Sequence, residues 1–305
     1  MPQRFIKILL FIFCFSFIYM SLARILPKSN SHPYAIAQIP TPVLNISDFS
    51  LVFGGKDGKT LPLDNSGLIR EVEFIALPKT LFRINQIIEK GKTTIYKVTT
   101  PDYPYTSKKG YFIDSRFVKI LDNKTQNRAK DLPSKEAVIK NLISSQGSIY
   151  IWGGNYKDGI PQLLSFYPPQ SPISSNLRVQ WILKGLDCSG LLYEATNGFT
   201  PRNTSSLVNF GVPVKIMNLN ATQIIQKVAP LDLIVWKGHV IIILDKNSII
   251  ESRLDYDEKK EGNQGGVKIR SLRTVLNRIL KERVPVDDYD AASIKNQFVI
   301  RRWYK

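Results

Sequence analysis

The period of apolar and polar positions changes twice along this chain. An apolar run extends from Ile8 to Leu22, behind Arg4 and Lys7 and ahead of Ser21-Leu22-Ala23. A basic start, an apolar stretch and a small-x-small site read as an export signal over 1–23, either cleaved or kept as an uncleaved anchor. Residues 24–48, rich in Ser, Pro and Asn, read as a linker. Short apolar–polar alternations split by turn signals then fill 49–122: LVFGGKDG, LIREVEFIALP, TTIYKVTTPDYPY and GYFIDSRFVKIL. This pattern predicts a small all-β unit of about five strands, barrel or sandwich. GGKDGKT lacks the spacing and the following helix of a phosphate loop, so it is expected to be a β-turn.

A polar linker, 123–133, leads into a different pattern. Ser134 is placed to cap a helix with Val138, Ile139, Leu142 and Ile143 on one face. SIYIWGG (148–154) reads as an extended segment ending in a glycine turn, and SGLLYEAT (189–196) as a helix. LDLIVW (231–236), HVIIIL (239–244) and SIIES (248–252) read as strands joined by tight turns. SLRTVLNRILKER (271–283) is amphipathic, and FVIRRWY (298–304) reads as a closing strand. Helices followed by an antiparallel sheet make 134–305 an α+β domain. Residues 155–184 show no period and read as a long loop, with a lid or substrate wall as the alternatives.

The composition, 43% hydrophobic and 22% charged, is that of a folded protein. The net charge of +17 favours anionic partners. The basic residues are scattered, with no run of five, so no nucleic acid is expected as partner. A periplasmic or extracellular location follows from the export signal, with membrane attachment only if the segment stays uncleaved. A monomer is expected.

The chain has two cysteines, Cys14 in the apolar run and Cys188, so a cleaved chain holds no internal disulfide. A lone thiol in an oxidising compartment is either deeply buried or chemically used. His32 lies in the linker and His239 opens a strand. One Cys and one His are too few for a zinc site, and neither a metal nor a cofactor is expected. The inventory fits Cys188 as nucleophile and His239 as base; the alternative is that the two are unrelated. Cys188 falls in the first turn of a helix, where the dipole and first-turn N–H groups stabilise a thiolate. A third group must accept from the other imidazole nitrogen. Pairing about the turn at 245–247 sets 250 or 251 opposite 241 or 240, which brings Glu251 near His239.

YIWGG (150–154), GLDCSGLLYEA (185–195), PRNTS (201–205), PLDLIVW (230–236) and GHVIIIL (238–244) together resemble the NlpC-type cell-wall cysteine peptidases. The likeness covers roughly 135–252, and YKVTTPDYPYTSKKGYFIDSRFV (96–118) resembles the bacterial Src-homology-3-like barrel that precedes this domain in many members. The resemblance implies a papain-like fold that hydrolyses the γ-D-glutamyl–diaminopimelate bond of peptidoglycan stem peptides or muropeptides. It implies Cys188 as nucleophile, His239 as base, Glu251 in the third position and Tyr150 near the oxyanion. Asp187 and Ser189 match residues that contact a free N-terminal L-Ala. Arg202 matches a basic residue of the motif, for which a surface salt bridge is the other reading. The chain departs from the family at three points. The third position is more often His, Ile241 replaces a glycine and is expected to narrow the groove, and 155–184 is a longer insert than usual. The alternative functions are a non-catalytic wall-binding protein and an N-acetylmuramoyl–L-alanine amidase or transpeptidase on the same fold.

Overall fold

The computed structural model describes residues 33–254, 265–293 and 296–304. The segment expected to direct export, 1–23, lies outside the described residues.

Seven strands form the N-terminal sheet: β1 (Tyr34–Ala37), β2 (Thr41–Leu44), β3 (Val72–Ala76), β4 (Leu81–Lys90), β5 (Thr93–Thr99), β6 (Tyr111–Asp114) and β7 (Val118–Leu121). Their spatial order is β3-β2-β6-β5-β4-β1-β7, and every neighbouring pair is antiparallel. Two of these strands, β1 and β2, lie inside the stretch expected as a linker. β-Branched and small apolar residues (Ala35, Ala37, Val43, Leu44) are fully buried there and supply the strand signal that the Ser and Pro content obscured. Conversely, LVF (51–53) is not a strand. α1 (Phe49–Val52) starts where Asp48 accepts from the Leu51 N–H at 3.1 Å. The GGKDGKT segment is a turn, organised by Asp57 Oδ1, which accepts from Lys59 N, Thr60 N and Thr60 Oγ1 at 2.9–3.1 Å.

Strands β2 and β6 are buried along their whole length, so the sheet is covered on both faces. One face holds Val43, Phe74, Phe82, Ile84, Val98 and Ile113. The other face, carrying Leu44, Val72, Ile75, Ile95 and Phe112, packs against α1 and against the 155–184 segment. That segment is therefore not the structureless loop expected of it. It runs from β8 (Asn155–Tyr156) through α3 (Gln162–Phe166) and α4 (Ser175–Trp181) toward β9 (Gly185–Leu186). Ile160, Leu163, Trp181 and Leu183 are fully buried. Tyr167 donates to Asp114 at 2.5 Å, and Trp181 Nε1 donates to the Tyr167 carbonyl at 3.0 Å.

The C-terminal layer is built on a second antiparallel sheet. β10 (Val212–Pro213), β16 (Gln297–Arg302), β11 (Leu233–Trp236), β12 (His239–Ile243), β13 (Ser248–Arg253) and β14 (Gly266–Ser271) follow one another in space, and β15 (Val284–Pro285) runs parallel to β16. Strand alternation sends Val235, Val240, Ile242, Ile250 and Val299 to one face, where α2 (Lys135–Ser144) and α5 (Cys188–Ala195) pack. Ile234, Ile241, Ile243, Ile249 and Ile300 point to the other, under α7 (Ala221–Lys227) and α8 (Leu272–Glu282). In α8, Leu272, Val275, Leu276 and Ile279 are buried at the spacing of one helix face. α2 is capped by Ser134, which accepts from Ala137 N at 3.2 Å. Its apolar stripe is narrower than expected: Val138 and Leu142 are buried, but Ile143 is 46% exposed. The described residues pack as one compact unit, mixed α/β, with two large antiparallel sheets.

Candidate active site

Three short sequence blocks fix the position of Cys188. Asp187 caps α5, accepting from Gly190 N at 2.7 Å, and its own N–H donates to Gly154 O at 2.9 Å. The glycine turn of YIWGG thus abuts the start of the helix. A Cβ on Gly190 would lie 1.9 Å from the Gly154 carbonyl oxygen, so only glycine permits this approach. Cys188 is the first residue of α5, 7% exposed, with Sγ 3.9 Å from the carbonyl oxygen of Gly238.

His239 begins β12 and hydrogen-bonds to Glu251 on β13, Nε2 to Oε2, at 2.9 Å. The strand register explains how. Ile242 is opposite Ile250, one residue away from the expected register. By alternation Glu251 then shares the face of Ile241 and His239; in the expected register it would have pointed to the opposite face. Glu251 is fully buried, and its second oxygen lies 3.3 Å from Arg270 Nε and 3.6 Å from Arg278 Nη2. Burial opposes the carboxylate, but the imidazole, and after it the charges of Arg278 and Arg253, outweigh it and hold Glu251 below the usual carboxylate range. Burial likewise disfavours a charged His239. The nearness of Cys188 and the hydrogen bond to Glu251 raise it to about 9. The imidazole is therefore bonded to the carboxylate with the thiol nearby, and a value near 9 leaves it charged at neutral pH.

Arg202 is 3% exposed and holds Asp187 through two parallel hydrogen bonds at 2.9 and 2.6 Å. The surface salt bridge considered for it is therefore a buried one. Arg202 also donates to Ser189 Oγ at 2.8 Å and to Asn155 Oδ1 at 3.1 Å. Asn155, in turn, pairs with both backbone groups of Ile75 on β3 at 2.9 and 2.8 Å, imitating a neighbouring strand. This fully buried amide ties the helix-cap network to the N-terminal sheet, and sequence reading missed it because it opens the segment taken for a loop.

Cys188 opens onto a cleft of about 540 Å³. Tyr150, Asp187, Ser189 and Arg202 line it, whereas His239 and Glu251 are not among its lining residues. The Tyr150 phenol is kept protonated by burial first, then by the nearby charges of Asp187 and Cys188. The N-terminal sheet contributes Asn45, Arg70, Glu73 and Tyr103. None of these four was singled out from sequence. Among the described residues Glu73 is held by neutral donors, Asn45 Nδ2 at 2.9 Å and the Tyr103 hydroxyl at 3.2 Å. Arg70 lies 4.3 Å from the ring centroid of Trp152. No residue of 155–184 lines the cleft; the segment packs instead on the N-terminal sheet. Ile241 does not narrow the cleft either, because it is buried under α7 and α8. Among the described residues no cluster of His, Cys, Asp and Glu could hold a metal.

No family model matches the chain, and no curated protein matches it. One similar solved structure is RipD from Mycobacterium tuberculosis, described as a non-catalytic NlpC/p60 domain protein adapted to peptidoglycan binding. It is 19% identical, with a TM-score of 0.30, and the match covers 45% of this chain and 86% of that one.

Proposed function

We propose that the protein is a cysteine peptidase that hydrolyses the γ-D-glutamyl–diaminopimelate bond of peptidoglycan stem peptides, acting outside the cytoplasm. The observation that carries this reading is the line from Cys188, at the first turn of α5, through His239 to a buried Glu251. The Cys188 thiolate attacks the γ-carbonyl carbon. Charge developing on the carbonyl oxygen is met by the first-turn N–H groups of α5 and by the Tyr150 phenol. The tetrahedral intermediate collapses as His239 gives its proton to the leaving amine, leaving an acyl thioester on Cys188. Water then enters, His239 takes one of its protons, and hydroxide addition to the thioester releases the carboxylic acid and regenerates the thiolate. Glu251 orients the imidazole and stabilises its charged form.

The N-terminal sheet closes one end of the cleft and sets which peptides enter. Both Asp187 oxygens are engaged by Arg202 and the helix N–H, whereas Glu73 has no cationic partner among the described residues. A free N-terminal L-Ala ammonium is therefore met mainly by the Glu73 carboxylate, with Asp187 and Ser189 forming the adjacent wall.

Mass spectrometry of the purified protein with two muropeptides tests the proposal. One carries a free N-terminal L-Ala, and the other keeps its muramic acid. Release of L-Ala–D-Glu from the first alone supports both the bond and the closed end. Cleavage of both at that bond keeps the peptidase and removes the amine anchor. No product from either, by a folded protein, favours a wall-binding role instead.

A further inference from the structure

Of the basic side chains lining the cleft, two are matched by carboxylates: Arg202 by Asp187, and Arg70 by Asp64, each at 2.6 Å. The remaining one, Lys237, has no carboxylate within ion-pair distance among the described residues. Its ammonium lies 5.7 Å from the ring centroid of Tyr289, a contact that leaves the charge uncompensated. The placement of Lys237 is fixed by backbone. It is the first residue of the two-residue turn between the paired Trp236 and His239. The turn is pinned by Gly238, whose N–H donates to Thr204 Oγ1 at 2.9 Å and whose carbonyl oxygen faces the Cys188 sulfur. An exposed cation thus projects from the turn that abuts the thiol, with its ammonium near Tyr289 of the C-terminal layer.

We propose that Lys237 is a specificity-determining residue that binds the side-chain carboxylate of the diamino acid leaving from the scissile bond. This deepens the peptidase reading and rests on it. The N-terminal sheet closes the acyl side, so the leaving side falls toward the turn that carries Lys237. An anionic group there complements the ammonium. The side-chain carboxylate of diaminopimelate is the anion present at this position whatever follows it, because the main-chain carboxyl becomes an amide when a fourth residue is attached. A lysine in the third position keeps the terminal ammonium but lacks the carboxylate that offsets it, so the same residue disfavours lysine-type peptides.

The test uses three tripeptides: L-Ala–γ-D-Glu–meso-diaminopimelate, the same peptide with its side-chain carboxyl amidated, and L-Ala–γ-D-Glu–L-Lys. For the unaltered protein, kcat/KM is expected to fall roughly five-fold on amidation and further with lysine, through KM. Lys237→Met is expected to bring the acidic peptide down to the level of the amide while leaving the amide itself unchanged, and Lys237→Arg to retain the discrimination. A Lys237→Met variant that lowers all three substrates equally, or none, overturns the assignment and leaves the peptidase reading intact. Failure of the unaltered protein to cleave any of the three overturns the peptidase reading, and this assignment with it.

Discussion

The protonation of His239 governs the site at the scale of single residues. Its folded pKa, raised from 6.5 to about 9, means that the folded protein holds this proton more tightly than the unfolded chain does. The resulting stabilisation is fully present below about pH 6.5 and is lost as pH rises through about 9. Thermal melts of the unaltered protein are expected to show this loss over that window, and His239→Gln to lack it. The same titration removes the proton donor for the leaving amine, so kcat/KM is expected to fall above about pH 9. Glu251→Gln keeps a hydrogen-bonding group but deletes the charge opposite the imidazolium. Its kcat/KM is expected to drop roughly 10²-fold, and the alkaline fall to move to lower pH, read from pH–rate profiles. Arg202→Met leaves the Asp187 carboxylate without its bidentate partner. It is expected to cost about 3 kcal/mol in urea unfolding, since a desolvated charge is stranded.

Among the elements, α5 and the β12–β13 hairpin decide whether the three groups meet. Gly190→Ala would press a methyl group onto the Gly154 carbonyl and push the helix start away from its turn. A loss of about 3 kcal/mol is expected by denaturant unfolding. A larger proportional loss of kcat is expected in a refolded sample, because the thiol moves with the helix. DCSG and GHV were legible in the sequence because each is a contiguous block, one holding cap, thiol and glycine and the other glycine and histidine. Glu251 was found as well, although the register expected for it was one residue out. Turn geometry sets register, and the turn at 245–247 is tightened by Asp245, which accepts from Asn247 N and Ser248 N. The contributions of Glu73, Tyr103 and Asn155 were not legible. Each reaches the cleft or its supporting network through contacts between residues far apart in sequence, and no local spacing encodes such contacts. Strand β4 was missed because its outer positions are polar and exposed for much of its length.

For the whole molecule, the charge of +17 and the joint between the two layers matter most. Association with anionic wall polymers is expected to be weakened by salt, with retention on sedimented sacculi falling steeply between low and high ionic strength. The joint is both polar and apolar. Arg128, in the stretch read as a linker, forms an ion pair with Asp102 at 2.5 Å. It also donates to the Asn197 and Gly198 carbonyls just beyond α5, at 2.8 and 3.1 Å. The apolar part is the face of the N-terminal sheet covered by 155–184, where Trp181 and Leu163 are fully buried. That covering segment lies between two blocks of the site, YIWGG and DCSG, far downstream of the strands it shields. The N-terminal sheet is therefore not a separable bead that recombination can move at the 123–133 boundary. Cut there, it keeps α1 but sheds the rest of the cover of one face, and the remainder keeps an apolar segment with nothing to lie against. The two layers are heritable only together, and each should unfold when the other does.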